Sequence, residues 1–122
     1  MSAKKQVGQP GFADAVTADL GGKRTAAFLE TLDAKIPWEQ LAAPIEKLYE
    51  RPAGTAGAPH YPAVLMLKAT MLAKWHHLSD PQLEEQLRDR LSFRRFVGLS
   101  LSDPTPDETS FVLFRKLLRE SN

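Results

Sequence analysis

The feature that most constrains this chain is a pair of helix start signals in its second half. Ser79-Asp80-Pro81-Gln82 supplies a capping hydroxyl, a first-turn carboxylate, a proline where no backbone donor is needed, and a Gln three residues after the Ser. Thr105-Pro106-Asp107-Glu108 repeats that grammar with a Glu in the third place. Between them lie the pair Arg94-Arg95 and an apolar knot of Phe93, Phe96, Val97 and Leu99. The local reading is helix, turn, helix.

Helical periodicity extends through most of the remaining chain. Residues 1–22 are rich in Gly, Ala and small polar types and read as a mobile arm, with a short ordered piece around Phe12. From Lys23 an apolar stripe of Ala26, Phe28, Leu29 and Leu32 runs until just before Pro37, which opens a second helix. Trp38, Leu41, Ile45 and Leu48 give that helix a buried face, and Pro44 inside it predicts a kink or a break near Ala43. The segment 51–60 reads as a linker. A central helix then runs from Tyr61-Pro62 to about His77, apolar around most of its circumference. Three more follow: Asp80–Arg90, Leu91–Val97 closed by Gly98, and Pro106–Arg119. With no strand signal, repeat or glycine-rich phosphate loop, the expectation is an all-α bundle of about five to six helices over residues 23–122. Its C-terminal half is helix-turn-helix-like.

Composition sets further bounds. There is no cysteine, which excludes disulfides, thiolate metal sites and a thiol nucleophile. No 18-residue apolar run and no signal-peptide pattern occur, so a soluble, cytoplasmic protein without a membrane partner is expected. Sixteen basic and fifteen acidic residues leave a net charge of only +1. A nucleic-acid footprint therefore has to come from local clusters, because the overall field is nearly neutral.

Two such clusters exist. Arg94 and Arg95 carry planar forks that match phosphate oxygens; the competing role is that one pairs with Asp89 or Glu85 while the other is solvated. Arg115, Lys116 and Arg119 lie on the last helix, with Arg115 and Arg119 four apart on one face. In a major groove those two arginines would read guanine edges or grip phosphate, and Thr109 and Ser110 would meet phosphate near the helix N-terminus. The competing role makes these charges the solvated back of a core face of Phe111, Phe114, Leu117 and Leu118. Lys68 and Lys74 are secondary candidates. Trp75, Phe93 and Phe96 read as core and not as base-stacking platforms. His76 and His77, with His60 as a third possible ligand, do not make a metal site, since adjacent helical residues point about a hundred degrees apart. Glu84, Glu85, Asp107 and Glu108 have structural explanations in intrahelical pairing and first-turn placement, so no catalytic residue, metal or cofactor is assigned.

The wording of these segments carries a resemblance. Ser79-Asp80 with Leu83-Glu84-Glu85 and Leu87, then Phe93-Arg94-Arg95-Phe96-Val97-Gly98-Leu99, Pro106-Asp107-Glu108-Thr109 and Phe114-Arg115 closely resemble the N-terminal domain of insertion-sequence-five family transposases. Leu32 to Trp38, Pro44-Ile45-Glu46, and Tyr61 to Trp75 are similar to that family's earlier helices, so the likeness covers roughly residues 12–119. It implies a domain that binds double-stranded DNA at an element's inverted-repeat ends and takes part in assembly, as a homodimer or with a separate catalytic domain. Such a protein associates with the nucleoid when bound. The family's acidic triad and its divalent metals belong to a ribonuclease-H-like domain that this sequence does not contain, so the chain is expected to cut nothing and to take no small-molecule substrate. At Ala58-Pro59-His60 relatives commonly carry a Gly-Arg-Pro type sequence, which removes one basic contact here. Two other readings compete: a protein-interaction module for dimerisation, and a stand-alone helix-turn-helix regulator acting at a promoter.

Overall fold

Seven helices run through the described residues of the computed structural model, which are 7–16, 23–49 and 61–120. They are α1 (Phe12–Val16), α2 (Lys23–Lys35), α3 (Trp38–Tyr49), α4 (Ala63–His76), α5 (Asp80–Asp89), α6 (Leu91–Val97) and α7 (Glu108–Glu120). No strand occurs among these residues, so the architecture is all-α. The count exceeds the expected five to six because the short piece around Phe12 forms a helix of its own. The linker 51–60, including His60, and arm residues 1–6 and 17–22 lie outside the described residues.

The fold is organised around α4, which packs on α3, α5, α6 and α7. Its sequence is apolar nearly all round, the pattern of a helix surrounded by neighbours. Ala63, Ala69 and Leu72 are fully buried, and the two alanines let adjacent backbones approach closely. Helix α2 lies against α6 and contributes Leu29, while Phe28 meets the edge of the Trp75 ring at 6.4 Å.

Helix α3 departs from expectation in two ways. It runs unbroken from Trp38 to Tyr49 through Pro44. The missing proline N–H costs little there, because Pro44 and Gln40, whose carbonyl it would have met, are both exposed to water. Its buried face is Trp38, Ala42, Ile45 and Tyr49, whereas Leu41 is 51% exposed. The true stripe follows steps of four, three and four from Trp38, one position away from Leu41.

The two start signals have different outcomes. Ser79 forms a full capping box: its hydroxyl accepts from the Gln82 N–H, and the Gln82 side chain accepts from the Ser79 N–H at 2.9 Å. In the second signal the cap is Asp107 and not Thr105. Asp107 Oδ1 accepts from both the N–H and the hydroxyl of Ser110 at 2.9 Å, and α7 begins at Glu108. Pro106 is fully buried and holds the preceding residue out of the helix.

The N-terminal segment is not free where it is described. Asp14 accepts from the N–H groups of Gly11 and Leu101, both at 2.9 Å, and Gly8 donates to Asp103 Oδ2 at 2.7 Å. Gly8 has φ +81°, and a Cβ there would stand 3.0 Å from the Gly98 carbonyl oxygen. Gly8 and Asp14, within the segment read from sequence as a mobile arm with an ordered piece around Phe12, thus tie it to the loop after α6.

Candidate nucleic-acid interface

The pair Arg94-Arg95 splits. Arg94 is only 4% exposed and spends both terminal nitrogens inside the protein. Nη1 donates to the Leu87 carbonyl at 3.2 Å and to the Thr105 hydroxyl at 2.7 Å. Nη2 donates to the Ser100 carbonyl at 2.6 Å and the Asp103 carbonyl at 2.9 Å. The fork so satisfies an orphan carbonyl in the last turn of α5 and fixes the 100–105 loop across it. Burial pulls its proton affinity below that of an ordinary arginine, and the Asp103 and Asp14 carboxylates oppose that shift. Arg94, expected from sequence as a phosphate contact, thus has both terminal nitrogens committed inside the protein. Its partners are not Asp89 or Glu85 but three main-chain carbonyls and the Thr105 hydroxyl. Arg95, the next residue, is exposed.

Helix α7 presents its cations from an amphipathic frame. Phe111 and Phe114 are buried, with Leu117 and Leu118 packed at the edge of the core. Arg115 grips Asp80 at the start of α5 with both nitrogens, at 2.7 and 2.6 Å. That hydrogen-bonded contact holds the Asp80 carboxyl below its usual range and raises the arginine. Arg115 is 46% exposed at its side chain, so its charge reaches solvent already paired. Lys116, Arg119 and Thr109 are exposed.

The N-terminal end of α7 is acidic. Besides Asp107, the Glu84 carboxylate on α5 accepts from the Glu108 N–H at 2.8 Å, while its other oxygen meets Arg88 four residues on. Ser110 is committed to Asp107, whose carboxyl it holds below the usual range through its N–H and its hydroxyl. Ser110 is expected from sequence to meet phosphate at this helix end; here the Glu108 and Ser110 N–H groups are taken by carboxylates.

The secondary candidates also divide. Lys68 is drawn inward, donating to the Phe96 carbonyl at 3.0 Å and to Asp33, with its ammonium 5.4 and 5.1 Å from the Trp38 and Phe96 rings. Lys74 is exposed. Trp75, Phe93 and Phe96 pack within the protein, Phe93 completely. His76 stacks near Phe93 at 5.0 Å, and His77 ends α4 in the left-handed conformation. No group of three or more His, Cys, Asp or Glu side chains suited to a metal occurs among the described residues, and none of their helices is long and apolar enough to cross a membrane.

Sequence reasoning missed the inward turn of Arg94, though a signal existed. With Phe93, Phe96 and Val97 defining the apolar side of α6, position 94 lies nearer to that side than position 95 does. It also missed the roles of Asp14 and Asp103, which join segments far apart in the chain and leave no local pattern. No solved structure matches this chain. A family model described as a transposase domain, DUF772, matches residues 19–117, a span that takes in helices α2 to α6 and most of α7. On that match the chain belongs to the DUF772 transposase domain family.

Proposed function

We propose that this chain is the DNA-binding and assembly domain of an insertion-sequence-five type transposase, a cytoplasmic protein that recognises double-stranded DNA at the element's inverted-repeat ends. Family membership across residues 19–117 carries the reading. Geometry narrows the contacts. Arg95, Lys116 and Arg119 are exposed cations not gripped by Asp80 and supply the phosphate grip, with Thr109 two turns before Lys116 on α7. Arg115 serves mainly to brace α7 on α5. Strand cleavage, its acidic residues and its divalent metals are assigned to a separate catalytic domain, and nothing in this one is proposed to react.

The test is fluorescence anisotropy of labelled duplexes taken from the DNA flanking the reading frame, against scrambled duplexes, over a salt series. Expected is preferential binding to the flanking ends that weakens steeply with salt. Each removal at Arg95, Lys116 or Arg119 should lower the slope of log affinity on log salt by about 0.9 per lost phosphate contact. Equal or absent binding to both duplexes overturns end recognition. A second reading, a protein-interaction module, is favoured by one observation: carboxylates crowd the N-terminal end of α7, where a recognition helix would meet phosphate.

A further inference from the structure

We propose that the outer face of α7 pairs with the same face of a second copy of this chain, antiparallel, about a two-fold axis at Val112. The inner face is spent on Phe111 and Phe114. On the outer face Val112 is 46% exposed and Leu113 58%, two adjacent large apolar side chains in water. Glu108 stands four residues before Val112 and Lys116 four after, both exposed. At 1.5 Å rise per residue each lies about 6 Å from Val112, in opposite directions along one side of the helix. A two-fold through Val112 therefore sets Glu108 against the copy's Lys116, and Lys116 against the copy's Glu108. This gives two ion pairs around an apolar centre, the self-complementarity that an isologous contact requires.

The wider charge pattern fixes the direction. Glu84, Asp107 and Glu108 gather at the N-terminal end of α7, Lys116 and Arg119 at the C-terminal end. Parallel pairing would place like on like, and a DNA groove would press the acidic end against phosphates; an antiparallel copy satisfies both ends. The inference rests on and deepens the assembly half of the proposed function, giving Lys116 a contact between copies in the DNA-free protein. One helix face per copy falls short of the roughly 800 Å² per partner of a standard interface, so the pairing is micromolar or weaker on its own.

Sedimentation equilibrium of the chain, free of DNA and at low salt, tests it, with circular dichroism melts confirming that each variant folds. Expected is concentration-dependent dimerisation, weakened about tenfold by Lys116→Glu, which creates two like-charge contacts. The double variant Glu108→Lys with Lys116→Glu restores it to within about threefold, and Val112→Lys abolishes it. A wild-type chain that stays monomeric up to about 1 mM overturns the proposal. So does a double variant that fails to recover, or a Val112→Lys variant that dimerises normally yet binds DNA less well. Because dimerisation is read without DNA and end binding by anisotropy, either reading fails without obscuring the other.

Discussion

Helices α6 and α7 each carry clustered arginines, and they use them in opposite ways. Arg94 sits inside, four hydrogen bonds from its fork reaching Leu87, Ser100, Asp103 and Thr105. Arg115 lies at the surface, gripping one carboxylate, Asp80, while Lys116 and Arg119 face water. The first arrangement makes a cation into architecture: one guanidinium collects the carbonyls of the loop after α6. The second leaves α7 held by Phe111 and Phe114, with its charges available to a partner. Cationic clusters in a nearly neutral protein are thus not equivalent, and burial decides which of them a partner can reach.

Replacing the two neighbours in turn breaks this comparison most directly. Arg94→Ala strands the Leu87, Ser100 and Asp103 carbonyls and should cost about 3–5 kcal/mol, a large part of the 5–15 kcal/mol typical of a whole domain. Arg94→Lys keeps the charge without the fork and should fall between the alanine variant and wild type. Arg95→Ala should change stability by less than about 0.5 kcal/mol while weakening DNA binding. Urea unfolding of the three variants, beside anisotropy, checks the contrast. Equal destabilisation at 94 and 95 would remove the architectural role given to Arg94.

The asymmetry explains what the sequence shows and what it hides. Ser79 with Gln82 announces α5 because a capping box is local, and Leu91–Val97 followed by Gly98 announces α6 for the same reason. Thr105 misleads because its hydroxyl is taken by Arg94, eleven residues away, so Asp107 caps α7 in its place. Asp14 and Leu101 meet across 87 residues, and no periodicity records such a contact. At the candidate interface Arg95, Lys116 and Arg119 are legible as exposed charge, whereas the burial of Arg94 and the inward turn of Lys68 are not legible.

The clasp from the N-terminal segment is the next point to press. Gly8→Ala places a methyl 3.0 Å from the Gly98 carbonyl at a φ of +81°, so either the backbone moves or the clasp opens. A cost of about 1–2 kcal/mol is expected. Amide exchange should rise at Leu101, whose N–H is held by Asp14, and stay unchanged across α7. Faster exchange in α7 would show that the two regions are one cooperative unit.

The surface clamp should respond weakly, and to acid. Arg115→Ala is expected to cost about 0.5–1 kcal/mol, since the pair lies at the surface with its arginine half exposed. Asp80 titrates below its ordinary value of 3.8 in the folded chain because Arg115 hydrogen-bonds its charged form. Its contribution is therefore present above the unfolded carboxylate pKa and lost as pH falls through the lower folded value. Wild type should lose this increment on acidification below about pH 4, and Arg115→Ala should not, as melting temperatures measured from pH 6 to pH 2 would reveal.

A further pair of effects comes from two helix ends that close in the same way with different residues. After α6, Gly98 at φ +95° and Leu99 both donate to the Arg94 carbonyl. After α4, His77 at φ +54° and Leu78 both donate to the Ala73 carbonyl. Only the first end uses the residue suited to a left-handed turn. His77→Gly should therefore stabilise the protein by about 0.5–1 kcal/mol. Gly98→Ala should destabilise it by about 1 kcal/mol through conformation alone, since nothing lies within 4 Å of the added Cβ. Opposite signs in thermal melts would show that backbone preference sets both closures. A Gly98→Ala cost as large as that of Arg94→Ala would show instead that the turn and the buried guanidinium are inseparable, and that the loop after α6 owes its order to both.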